Sequence, residues 1–288
     1  MKLATIRTAD GTRAALLDGE AYVELAGVAD VGALLRDGGL AAAEAKAIGP
    51  RHAAADVEFA PVVTRPGKIL CVGLNYRSHI LEMKRDLPQY PTLFAKFADT
   101  LIGATDDIIL PPESDAIDWE AELGIVIGAT VRRATAEEAE QAIAGYTICN
   151  DISMRDWQFR TREWLQGKTW ADATPLGPVL ATVDEVPADA AITTTVDGVE
   201  KQRGRIDDLV HDPVFLVRYI STILPLRPGD VIITGTTGGV GHAREPREYL
   251  HAGQTVTVAI DGIGALTNVT RAEAVDRISA GALAGAEQ

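Results

Sequence analysis

Asp118-Trp119-Glu120-Ala121-Glu122-Leu123-Gly124-Ile125-Val126-Ile127-Gly128 sets three acids at alternate positions ahead of an apolar run. Side chains alternate faces along a strand, so in a strand Asp118, Glu120 and Glu122 share one side. The segment 120–127 is a strand candidate. Carboxylates stacked on one face repel one another, and leaving them uncompensated is costly. Two arrangements relieve the repulsion. One is a solvated acidic face; the other is a hard divalent cation, since Mg²⁺, Mn²⁺ and Ca²⁺ prefer oxygen ligands.

A further acid lies downstream. Gly145-Tyr146-Thr147-Ile148-Cys149-Asn150-Asp151 reads as an apolar strand over 146–149 ending in Asn-Asp, where a ligand can project from the strand end. Glu120, Glu122 and Asp151 would then form a three-carboxylate site for Mg²⁺ or Mn²⁺, with Ca²⁺ also admitted by oxygen ligands. The five histidines (52, 79, 211, 242, 251) show no His-x-His or His-Glu-x-x-His spacing, which argues against zinc.

Outward from this segment, strands alternate with turns far more than with helices. Further strands are predicted over 68–72, 190–196, 230–234 and 254–260, with an Asp197-Gly198 hairpin turn. Helices are predicted over 136–143 and over 213–223, the latter stopping before Pro225. Strands without regular crossover helices define a β-rich α+β class. Near the start, short apolar runs at 3–7, 14–17 and 21–25 are separated by Asp10-Gly11 and Asp18-Gly19. Residues 31–35 and 40–48 look helical up to Gly49-Pro50. The break at Thr64-Arg65-Pro66-Gly67 predicts a small N-terminal β domain over 1–64 and a catalytic domain over 65–288.

The chain has 288 residues, 47% of them hydrophobic, enough for one or two domains with a substantial core. Lys plus Arg is 27 and Asp plus Glu is 41, a net charge of −14. That balance argues against nucleic acid and anionic membranes as main partners. A small anionic substrate stays open to it, because a local metal or basic cluster reverses the field. No run approaches the roughly 18–20 apolar residues of a membrane span. Met1-Lys2-Leu3-Ala4-Thr5-Ile6-Arg7 lacks the apolar core of a secretory signal, so a cytoplasmic protein is expected. Cys71 and Cys149 sit in strand-like runs and read as buried free thiols. No Gly-x-Gly-x-x-Gly, phosphate loop or Gly-x-Ser-x-Gly elbow occurs, which argues against dinucleotide and serine-nucleophile chemistry.

A second constellation follows the strand at 68–72: Gly73-Leu74-Asn75-Tyr76-Arg77-Ser78-His79-Ile80-Leu81-Glu82-Met83. If this turns helical, His79 and Glu82 face each other three residues apart. The pair is either surface decoration or a dyad in which Glu82 sets the imidazole tautomer and raises its basicity. Lys84-Arg85-Asp86 and two prolines follow, consistent with a mobile lid. Arg155 and Gln158 come just after Asp151, and Lys168 lies in Gln166-Gly167-Lys168-Thr169-Trp170. The turn Thr234-Gly235-Thr236-Thr237-Gly238-Gly239-Val240-Gly241 exposes amides able to hold an anion, or is simply tight. Trp119, Trp157, Trp164 and Trp170 cluster in the central third, as core or as cavity wall.

Five pieces, in order, resemble the fumarylacetoacetate hydrolase family in its short bacterial form. They are Pro66-Gly67-Lys68-Ile69 with Gly73-Leu74-Asn75-Tyr76 and His79; Asp118 to Leu123; Asn150-Asp151-Ile152-Ser153-Met154-Arg155-Asp156; Gly167-Lys168 with Pro175-Leu176-Gly177-Pro178; and Pro228 to Thr236 with Gly239-Val240-Gly241. The resemblance covers roughly residues 65 to 270. Thr236-Thr237-Gly238-Gly239 departs from the Thr-Pro-Ala-Gly of many relatives.

The resemblance implies a mixed β-sandwich roll, a homodimer, and a divalent metal on Glu120, Glu122 and Asp151. It implies that His79 and Glu82 activate water, that Lys168 is catalytic, and that Arg155, Gln158, Tyr76 and Thr237 contact substrate. The expected substrate is a small 2-oxo acid. The expected reaction is metal-dependent hydrolysis of an acylpyruvate such as fumarylpyruvate to pyruvate and a carboxylic acid. An oxaloacetate-type decarboxylase and a 2-hydroxy-diene-dioate isomerase of aromatic catabolism would use the same metal and enolate. A metal-dependent scaffold without catalysis is the alternative of a different class.

Overall fold

The apolar run behind the acids forms a strand at Ala121–Ile127 in which every residue is buried. Beyond Glu122 it can be apolar on both faces because both are covered. The computed structural model describes residues 1–82 and 86–274, with the side chains of His79 and Glu82 outside the described part.

The N-terminal strands are β1 (Lys2–Thr8), β2 (Gly11–Asp18), β3 (Ala21–Leu25) and β4 (Ala47–Ala53), with helices α1 (Val31–Asp37) and α2 (Ala43–Lys46) before β4. β5 (Ile69–Gly73) leads into α3 (Arg77–Glu82) and β6 (Thr92–Lys96). Short strands β7 (Leu101–Ile102), β8 (Ile108–Leu110) and β9 (Ile117–Asp118) precede β10 (Ala121–Ile127). Then come α4 (Ala136–Ala142), β11 (Ile143–Asn150), β12 (Ser153–Met154), α5 (Arg155–Gln158), α6 (Leu165–Lys168) and β13 (Thr174–Ala181). The chain continues through β14 (Ala191–Val196), β15 (Val199–Arg205), α7 (Pro213–Ile223), β16 (Val231–Thr236), β17 (Thr255–Ile260) and β18 (Gly264–Ala272).

Among the described residues the main sheet has the order β4-β3-β2-β1-β13-β11-β10-β16-β5-β6, with β7 beside β13. A five-stranded sheet, β15-β14-β17-β18-β8, packs against it. Leu123, Ile148 and Val179 of the first meet Ile192, Val258 and Leu266 of the second in one apolar cluster. Elsewhere Ile125, Ile127 and Ile232 pack with Leu216, Val217 and Ile220 of α7 and Ala139 of α4. The result is the sheet-rich α+β sandwich expected. β1 pairs with β13, so the N-terminal strands extend the main sheet.

Local signals explain two of the helices read from sequence. Asp212 caps α7 by accepting from Phe215 N at 2.8 Å, and Pro213 starts it. Thr135 and Glu138 form a capping box on α4. The expected helix over 40–48 needs correction: it ends at Lys46, and Ala47–Ala53 becomes β4. β4 is an edge strand among the described residues, a place where a sheet tolerates Pro50 without losing a ladder bond. Cys71 and Cys149 are buried and free.

Candidate active site

Register brings the acids together. β10 and β11 are antiparallel with Ala121 opposite Asn150 and Glu122 opposite Cys149, which places Asp151 beside Glu120. Asp151 N donates to Glu120 O at 2.9 Å, and Glu120 N donates to Asn150 Oδ1 at 3.0 Å. Glu120, Glu122 and Asp151 are all buried, and one carboxylate oxygen from each lies within 4.8 Å of the others. Two unit charges about 5 Å apart repel by roughly 3 kcal/mol at an effective dielectric of about 20.

Three buried cations partly offset this. Lys168 Nζ donates to Glu120 Oε2 at 2.6 Å and to Asp151 Oδ2 at 2.8 Å. Arg155 pairs with Glu120 Oε1 at 2.6 Å and, through Nε, with Asp118 Oδ2 at 2.8 Å. Its Nη1 also donates to Gln158 Oε1 at 2.9 Å. Lys96 Nζ donates to Asp151 Oδ1 at 2.6 Å and to the carbonyl of Lys168. Burial works against charge on Glu120, yet Lys168 and Arg155 outweigh it and draw its pKa down to about 2.

Glu122 is different. Burial, then Asp151 and Glu120, push its carboxyl well above the usual range, and its partner is the Gly235 amide at 2.5 Å. Four buried acids, Asp118 included, face three buried cations. This all-oxygen, incompletely neutralised donor set fits a hard divalent cation. The ammonium groups do not preclude one, because each carboxylate has about four acceptor sites.

Close approaches hold the cations in place. Gly167 lets α6 lie against α5: a Cβ there would stand 2.5 Å from Gln158 Cβ. Gly167→Ala is expected to cost about 1–3 kcal/mol by overpacking. Urea denaturation of the variant checks this, and an unchanged midpoint would contradict the close contact. The glycine-rich turn does present its amides to anions, but these are the protein's own. Gly235 N holds Glu122, while Gly241 N and His242 N donate to Asp118 at 2.7 and 2.9 Å. Gly235, at φ +97°, adopts a backbone conformation that a side chain would strain.

The acids and cations open onto a cavity of about 280 Å³. Glu120, Glu122, Arg155, Gln158 and Lys168 line it, together with Phe94, Phe159, Trp164, Val240 and His242. Tyr76 does not line it; its ring is buried and its hydroxyl has no partner among the described residues. Thr237 is also buried, its carbonyl accepting from Gln202 Nε2 at 3.0 Å, while its neighbour Thr236 lines the cavity. His79 and Glu82 belong to α3, and their side chains lie outside the description.

Sequence reasoning missed Lys96, His242 and the aromatic wall. Lys96 had one signal, a lone cation ending the apolar run Leu93-Phe94-Ala95. Of the four tryptophans, Trp164 is cavity wall and Trp119 is core, while Trp157 and Trp170 stack edge-to-face at 5.0 Å.

Residues 68–271 match the family model described as the fumarylacetoacetate (FAA) hydrolase C-terminal domain. The chain belongs to the fumarylacetoacetate hydrolase family and is one of its enzymes. Human mitochondrial oxaloacetate tautomerase FAHD2A is 40% identical over 217 residues, 74% of this chain and 69% of that protein. The fumarylacetoacetate hydrolase of psychrophilic Exiguobacterium antarcticum superposes with a TM-score of 0.86 at 31% identity, covering 95% of this chain and all of that one. Fumarylpyruvate hydrolase from Pseudomonas aeruginosa, solved with Mn²⁺ and pyruvate, gives 0.66 at 32% identity, covering 75% of this chain and 92% of that one.

Proposed function

We propose that this enzyme holds Mg²⁺ or Mn²⁺ on Glu120, Glu122 and Asp151 and stabilises the enolate of a 2-oxo acid. On this reading it cleaves an acylpyruvate to pyruvate and a carboxylic acid. The observation that carries it is the buried carboxylate triad bridged by Lys168 at the cavity wall. The bound cation would supply positive charge for the oxygen on which enolate charge develops.

The protein's own groups do the rest. Lys168, fixed by Glu120 and Asp151, adds a preorganised positive charge at the same place. Arg155 and Gln158, locked to each other and to Asp118, position the substrate. His79, oriented by Glu82, takes a proton from water, and the resulting hydroxide adds to the C4 carbonyl. The C3–C4 bond then breaks, its electron pair enters the pyruvate enolate, and His79 returns the proton to C3. The same proposal takes residues 1–64 as an N-terminal unit with a supporting role, and the enzyme as a cytoplasmic homodimer.

A second reading is favoured by the 40% identity to a protein named oxaloacetate tautomerase. It needs the same cavity and proton transfers but breaks no carbon–carbon bond. Ultraviolet decay of acetylpyruvate, fumarylpyruvate and enol-oxaloacetate, with pyruvate assayed alongside, separates the two. Each assay is run with Mg²⁺, Mn²⁺ and EDTA. One pyruvate per diketone, lost in EDTA, is the expected result. Decay of the oxaloacetate enol without pyruvate selects the tautomerase, and inertness toward every substrate sinks both.

A further inference from the structure

The cavity has two kinds of wall. Two aromatic pairs line it alongside the carboxylates and cations, with Lys168 Nζ 5.5 Å from the centre of the Phe94 ring. Phe94 and Trp164 meet edge-to-face at 5.7 Å, and Phe159 and His242 lie tilted at 5.2 Å. Phe159 is 58% exposed, so apolar ring surface is left uncovered at the cavity. His242 is held there by its backbone N–H, which donates to Asp118 Oδ2, and by Nδ1, 2.9 Å from Tyr249 Oη.

Charge around the cavity decides what an arm of the substrate can be. Arg155 and Lys168 are the only Lys or Arg lining the cavity among the described residues. Each is already paired with two carboxylates. Burial, with Arg155 and Arg247 nearby, lowers the His242 pKa and so disfavours the charged imidazole. A carboxylate pressed against aromatic faces would lose water and, among the described residues lining the cavity, meet no Lys or Arg without carboxylate partners. An apolar arm would instead gain by covering ring surface.

Resting on the reading of this site as a 2-oxo acid site, we infer that Phe159 and His242 form its arm-recognition wall. The arm it selects is uncharged and apolar, a flat ring or unsaturated chain, in preference to one ending in carboxylate.

Calorimetric titration of the Mg²⁺-loaded protein with pyruvate, 2-oxo-4-phenylbutanoate and 2-oxoglutarate tests this without turnover. The last two share head and spacer and differ in ending with phenyl or carboxylate. The phenyl compound is expected to bind at least about tenfold more tightly than 2-oxoglutarate, the scale of burying an aromatic group. Phe159→Ala should bring that ratio to within about threefold of unity, and His242→Arg, which supplies a cation, should reverse it. Pyruvate that binds with a wild-type ratio at or below one overturns this inference alone. So does a ratio that neither variant moves. Failure of all three compounds to bind more tightly in Mg²⁺ than in EDTA overturns the 2-oxo acid reading and this inference with it.

Discussion

Asp151→Ala is expected to destabilise the fold by about 3–5 kcal/mol and to abolish Mg²⁺-dependent turnover. The stability loss follows from what the carboxylate touches rather than from any metal. Asp151 receives Lys96 at 2.6 Å and Lys168 at 2.8 Å, and all three side chains are buried. With Asp151 gone, Lys168 keeps Glu120, but among the described residues Lys96 keeps only the Lys168 carbonyl. A buried ammonium without a counter-charge is among the costliest defects a core can carry. Thermal unfolding in EDTA, where ligand binding cannot contribute, should show a fall in Tm on the order of 10 °C. Asp151→Asn should recover part of that stability, since the amide oxygen still accepts a bond from Lys96, without recovering turnover. A Tm within about 2 °C of the parent for the alanine variant would contradict the ion-pair account.

Lys168→Met carries the second large effect. The substitution keeps most of the side-chain volume and removes the ammonium that bridges Glu120 and Asp151. If that ammonium meets enolate charge, kcat falls by about 10²–10³, the usual loss for one preorganised electrostatic group. Mn²⁺ affinity should stay or tighten, because a neighbouring positive charge is gone. Steady-state kinetics paired with Mn²⁺ titration separates this role from mere support of the triad, for which metal affinity would weaken. A kcat within about threefold of the parent would rule the catalytic role out.

What the sequence made legible depended on how each feature is encoded. Helix α7 was read to the residue because Asp212-Pro213 and Pro225 mark both ends in local chemistry. β18 escaped because two of its inward residues, Asn268 and Thr270, are polar. They are buried on hydrogen bonds to Gly103, Asp106 and His251 carbonyls, which no hydrophobic pattern shows. β13 is buried throughout, yet Pro175 and Pro178 give it the appearance of a turn.

The site divides in the same way. Glu120, Glu122 and Asp151 were visible as acids placed where like charges need a partner. Asp118 was grouped with them by period-two counting, but the chain leaves strand geometry between Asp118 and Ala121. Asp118 instead anchors Arg155 and the amides of Gly241 and His242. Lys96 joins the triad only through the placement of β6 next to β5 at the far edge of the sheet. That placement is long-range pairing, which a local reading does not reach. The aromatic wall likewise gathers Phe94, Phe159, Trp164 and His242 from separate segments.

The most direct test of the central claim is anomalous diffraction at the manganese edge from crystals equilibrated with Mn²⁺. A single strong peak among the carboxylates of Glu120, Glu122 and Asp151, absent after EDTA, is the predicted result. No peak there at saturating Mn²⁺, with Lys168 still bridging Glu120 and Asp151, would make the cluster a structural ion-pair network and contradict the metal-enolate account.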